Sequence, residues 1–202
     1  MQESSHQREN VSGSPSLIAH IEHYLGRIQA GWTKSPDGKT LGFQVVKCAG
    51  GSYLEHVRAF CTVGLSHYPF KSRVSEKLIR QELLILVPEA FGDRNVPVVL
   101  QQLASAALVH RSPYLCGEVI ERSNPVFRDK PFYGFVAAVP VLLPDEFSVY
   151  QDMSGKQIVF AWMVPITKAE AAFIREKDWG TLEDIFVNAS TNLVDFDRDS
   201  AV

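Results

Sequence analysis

Two periods of hydrophobic patterning run along this chain, and the switch between them is sharpest near its C-terminal end. Residues 158–164 form a continuous apolar run rich in β-formers, too short to span a membrane, and predict a core strand. Pro165 carries no amide hydrogen and is expected to end that strand's ladder. Thr167 and Glu170 have the spacing of a capping box, in which each side chain satisfies a backbone donor of the other, so a helix is expected from Lys168. Gly180 is expected to stop it and Thr181 to cap a second helix, with Leu182, Ile185, Phe186 and Ala189 on one face.

The preceding chain reads as strands with few helices between them. Ser14 and Pro15 offer an N-cap and a first-turn proline to a helix whose apolar face carries Leu17, Ile18, Ile21, Tyr24, Leu25 and Ile28. His20, His23 and Arg27 fall on its opposite, solvent side. Residues 34–39 are a turn by composition, and 41–48 and 55–66 read as an antiparallel strand pair separated by Gly50 and Gly51. A third strand is expected over 80–87, ended by Pro88. Asn95 is placed to cap a helix lying across the sheet, its face built by Val99, Leu100, Leu103, Ala106 and Ala107, with Gln101, Gln102 and Ser105 pointing away. Another apolar strand spans 133–141, and 147–151 pairs with the 158–164 strand through a turn at 152–155. Antiparallel runs with few crossover helices give an α+β class: a mixed, largely antiparallel sheet with helices packed on it.

Composition sets the domain organisation. Residues 1–13 are polar and expected to be disordered, 14–194 form a single domain, and the acidic stretch 195–202 is expected to fray. A chain of 202 residues that is 46% hydrophobic and 21% charged suits one globular domain. Its net charge of −3 argues against a general nucleic-acid binder. Three cysteines, none in a CxxC pair, make a disulfide framework or zinc site improbable and point to a reducing cytoplasm. The first fifteen residues lack an apolar signal-peptide core, and no apolar run approaches the roughly 18 residues of a membrane span.

Little in the chain looks like chemistry. His20, Glu22 and His23 could share a metal ion on a helix, but a third ligand at usable spacing is missing, so no metal is expected. Ser66 and His67 are neighbours on a strand end and point apart, which excludes a nucleophile–base pair. Cys116, with His110 six residues before it, could serve a small Cys/His hydrolase if an imidazole or carboxylate stood within about 3 Å of the thiol. Gly50-Gly51 lacks the spacing of a phosphate loop, so no cofactor is expected.

Residues 60–69, with Gly64-Leu65-Ser66 at their centre, are succeeded by a loop and by Glu82-Leu83 at the head of the next strand. This paired signature resembles the suppressor-of-fused domain. The order of the remaining elements is similar as well: a helix at 96–110, a segment at 117–120, a strand at 132–140, then the Pro165-Ile166-Thr167 unit, so that the resemblance covers roughly residues 16–188. It implies a non-catalytic α+β domain that binds other proteins. The animal member is a two-lobed adaptor that grips a peptide between its lobes, whereas this chain resembles the first lobe only. Single-lobed bacterial relatives act as immunity proteins that bind and neutralise polymorphic toxins, which makes a toxin domain the implied partner. A peptide-binding intracellular adaptor, adding a strand at a sheet edge beside residues 64–68, is the alternative. Tyr68 is the nearest match to a peptide-binding tyrosine of the family, although it stands one residue closer to the signature, and Glu76 is a possible counterpart of an acidic partner. Gly64 and Glu82 belong to the fold. The implied binding site is Ser66, His67, Tyr68, Phe70, Lys71, Arg73 and Glu76.

Overall fold

The computed structural model describes residues 16–202; the tail expected over 1–13 lies outside the described residues. Helix α1 (Leu17–Leu25) is capped by Ser16, whose hydroxyl accepts from the Ala19 amide. It stops at Gly26, whose φ of +77° breaks the helical path. Ile28, expected on the helix, instead opens an unanticipated strand, β1 (Ile28–Lys34). β2 (Thr40–Cys48) and β3 (Val57–Val63) continue an antiparallel meander. A 3₁₀ turn (Leu65–His67) leads to a two-stranded hairpin, β4 (Phe70–Lys71) and β5 (Leu78–Ile79), and then to β6 (Gln81–Pro88). Helix α2 (Val96–His110), β7 (Val119–Glu121), β8 (Phe132–Ala138), α3 (Asp145–Ser148), β9 (Val149–Gln151), β10 (Gln157–Thr167), α4 (Lys168–Glu176) and α5 (Trp179–Asn188) complete the order.

The main sheet runs β1-β2-β3-β6-β10-β8-β7, with β9 on β10. Every pairing is antiparallel except β6 with β10, where Gln81 to Leu84 align with Val159 to Trp162. Both central strands are covered on both faces, which explains their unbroken apolar sequence. Along β10, Phe160, Trp162, Val164 and Ile166 enter the core under α1, α3, α4 and α5, while Ala161 and Met163 enter the core under α2. β6 divides the same way, Leu84 and Leu86 against Leu83, Ile85 and Val87. No helix of the described residues is long and apolar enough to cross a membrane.

Several local expectations are corrected. Pro165 lies inside β10 opposite Phe135 of β8, tolerated because the β6 pairing has already ended at Trp162. The break between α4 and α5 falls at Lys177 and Asp178, with Gly180 inside α5; Asp178, not Thr181, is the cap, its Oδ1 accepting from the Thr181 amide at 2.8 Å. Ala189 is exposed past the end of α5. Asn95 stands at the N-cap of α2 but its side chain donates to the Val126 carbonyl instead. Gln101 points inward, donating to the Lys34 carbonyl at 2.9 Å. His20 is buried rather than on a solvent face, its Nε2 3.2 Å from the Phe147 carbonyl oxygen, and Glu22 accepts from the Ile28 amide. Among the described residues no cluster of three metal-ligating side chains forms.

The capping box of α4 is present with both its bonds. Its Glu170 has a second role that overturns the frayed C-terminal stretch. Arg198 clasps that buried carboxylate in a bidentate pair, 2.5 and 2.9 Å, and donates to the Pro165 carbonyl at 3.1 Å. The Ala201 amide also reaches Glu170, Ser200 meets the Thr167 hydroxyl, and Phe196 is fully packed in the core under α2.

Candidate functional site

The loop between β3 and β6 is held from beneath by one carboxylate. Glu82, fully buried, accepts from the Thr62 hydroxyl at 2.6 Å and from the amides of Gly64 and Ser66 at 2.9 and 3.1 Å. Thr62 in turn accepts from the Leu83 amide, and Arg80 donates to the Ser66 carbonyl. Burial pushes the Glu82 carboxyl up from its ordinary value, and hydrogen bonds from Thr62, Ser66 and Gly64 pull against that rise. Gly64 turns the corner at φ +99°, a left-handed conformation that glycine adopts without steric penalty. The signature Gly64-Leu65-Ser66 with Glu82 is therefore a rigid mount for the loop that carries Tyr68.

Beside this mount lies a groove of about 440 Å³ lined by His67, Tyr68, Pro69, Phe70, Lys71 and Leu78, with Leu108 and Arg111 from the end of α2. Tyr68 is 43% exposed. Its ring leans over β2, the hydroxyl occupying the space that a Cβ on Gly42 would need. Four of the expected site residues, His67, Tyr68, Phe70 and Lys71, thus come together. Two of the seven point inward: Ser66 is buried, and Phe70 belongs to the core under α2. Lys71 pairs with Glu76, which has a left-handed backbone at φ +54°. Arg73 and Glu76 do not line the groove, and Arg73 is tied to Glu118 at 2.7 Å. Sequence reasoning missed Leu78, 69% exposed, and Arg111. For Leu78 the signal was available: an aliphatic residue closing the largely polar run 71–77 stands where the hairpin has little core to serve.

Two other expectations meet geometry here. β3 is flanked by β2 and β6, so the strand leading into residues 64–68 offers no free edge; the edge strands of the main sheet are β1, β7 and the short β9. Cys116 is an exposed residue, but partial burial of its thiol and the nearby Glu183 push it up, against thiolate formation, with a Val139 backbone bond pulling the other way, and no imidazole of the described residues acts on it.

Fold and site together define a mixed-sheet α+β protein with a rigidly mounted, apolar-lined loop groove. The chain belongs to the suppressor of fused family, whose sequence profile matches residues 39–199. Among solved structures it is similar to a protein described as a SUFU homolog from Neisseria gonorrhoeae, with 23% identity, a TM-score of 0.70, and coverage of 92% of this chain and 94% of that one. The structure of a Sufu–Fu complex matches at 11% identity and a TM-score of 0.62, covering 91% of this chain and 90% of that one. Drosophila Suppressor of Fused matches at 10% identity and a TM-score of 0.56 over 79% of this chain but only 42% of its own length. A comparison with curated proteins finds no significant match.

Proposed function

We propose that this chain is a non-catalytic protein-binding domain of the immunity type, which neutralises a toxin domain in the cytoplasm by binding it. The observation that carries the reading is the Tyr68 groove: exposed Tyr68 follows the turn fixed by the buried Glu82, and exposed Leu78 faces it from β5. An exposed aromatic on a pre-ordered loop loses little freedom on binding and is the type of residue that dominates interface energetics. Arg111 stands at the groove's rim, with Lys71 beside it already paired to Glu76, which suits a partner segment carrying apolar side chains and an acidic one. The structure of Sufu with Fu supports protein binding by this fold, and the near-complete coverage of the Neisseria chain supports a relative of similar extent.

The test is the affinity of the purified domain for the toxin domain encoded beside it, measured by calorimetry for the wild type, Tyr68→Ala and Leu78→Asp. Tyr68→Ala is expected to weaken binding by about 2 kcal/mol or more while changing the melting temperature little. Unchanged affinity with lost stability would make Tyr68 a packing residue over Gly42. Absence of any binding to the neighbouring toxin domain would remove the immunity reading.

A further inference from the structure

The face of the sheet away from α2 carries a second cavity, of about 420 Å³, between α5 and the ends of β8 and β10. Its wall is largely apolar: the indoles of Trp162 and Trp179, with Phe186, Leu142 and Leu193. One charged side chain stands in that wall. Glu183 is half-buried and makes no hydrogen bond or ion pair among the described residues. A carboxylate on an apolar wall that meets no cation of the described residues is placed to pair with one brought by a ligand. Independently, Trp162 is 1% exposed and its indole N–H has no acceptor among the described residues, although buried donors are nearly always paired. The cavity shares Leu142 and Asn192 with an adjoining hollow that carries Glu55 and Asp195 against a single histidine, His56, so the negative character continues beyond it.

We propose that this cavity binds a small organic cation with an apolar body, of the arylalkylamine class. The volume falls in the range of small-molecule sites, about 300–1,000 Å³. The indole faces and Phe186 take the apolar body, and tryptophan faces also attract cations. Glu183 takes the ammonium group, and a ring oxygen, where the arylalkylamine carries one, accepts from the Trp162 N–H. The site is separate from the Tyr68 groove and does not depend on how that groove is used.

The chain contains three tryptophans, and the third, Trp32, packs against Phe60 in the other core, so the molecule carries its own reporters. The probes are 4-phenylbutylamine, 4-phenylbutanol and 4-phenylbutyrate, titrated into ¹⁵N-labelled protein while the indole N–H resonances are monitored, with Trp179→Phe and Trp32→Phe to assign the three signals. The amine is expected to shift the Trp162 and Trp179 signals saturably and leave Trp32 in place. It should bind about tenfold more tightly than the acid, the difference a charged hydrogen bond provides. Glu183→Gln should bring the amine to the affinity of the alcohol with the melting temperature unchanged. No saturable shift, equal shifts at Trp32, acid binding as tight as amine binding, or an undiminished amine preference in Glu183→Gln would each overturn the proposal.

Discussion

His20 occupies a position that helical periodicity assigns to solvent, yet four aromatic rings surround it. Tyr24, Phe147, Tyr150 and Phe160 lie with centroids 5.0, 5.7, 5.2 and 5.7 Å from its own. Burial holds its pKa below the ordinary 6.5, against the opposing pull of the Phe147 hydrogen bond. The unfolded chain therefore takes up a proton as pH falls below 6.5 while the folded His20 resists it. Its contribution to stability is complete above 6.5 and is lost as pH drops toward the lowered folded value. His20→Phe should start less stable, for want of the bond to Phe147, but lose less stability between pH 6.5 and about 5, checked by urea titrations at stepped pH. A slope equal to the wild type's would remove His20 from the acid response. The burial was illegible in the sequence because it depends on Phe147, 127 positions away. The inward turn of Ser66 and Phe70 was illegible for a related reason: the loop was readable, but not which of its side chains are buried.

At the scale of elements, the signals that were readable lie within four residues, although not every signal that local was read. Thr167 and Glu170 announce their box because both bonds are local. The α4–α5 break was misplaced because Gly180 is a generic breaker, while Asp178 sits three residues before the amide it accepts from. Asp178→Ala should cost about 0.5–2 kcal/mol through the lost cap. Thr181→Ala, which only forfeits a 3.0 Å bond to Asp178 on the surface, should stay within about 0.5 kcal/mol. Equal losses by thermal unfolding would return the cap to Thr181. Thr167→Ala should exceed the Asp178 effect, since its hydroxyl also holds Ser200. β1 escaped notice because it is an edge strand with mostly half-buried and exposed positions, so its sequence lacks an apolar run.

For the whole molecule, the decisive surprise is the C-terminal stretch. Its acidic sequence hides one phenylalanine and one arginine, Phe196 and Arg198, that join both cores. Arg198 lies over the rings of Phe132 and Phe186 while clasping Glu170. Arg198→Ala should destabilise the domain by about 3–5 kcal/mol, because it leaves Glu170 buried without its partner. Replacing the pair together, Glu170→Gln with Arg198→Met, should recover part of that loss. A double variant no more stable than Arg198→Ala would show that the C-terminal contacts, rather than the uncompensated charge, dominate. The sheet order was equally beyond the sequence, since no local pattern tells β6 to accept a parallel neighbour from so far along the chain.

That parallel pairing bears on how the protein comes to be folded. The strands β1, β2, β3 and β6 can zip together as local neighbours, but β6 then presents an open edge. It stays open until β10, more than 70 residues later, closes against it. Contacts of such long sequence separation form late, because chain entropy must be lost before they reward it. The half-built sheet is thus a template for strands of other molecules. Refolding yield from urea should therefore fall as protein concentration rises. A yield independent of concentration would mean that β10 docks before the open edge can find another chain.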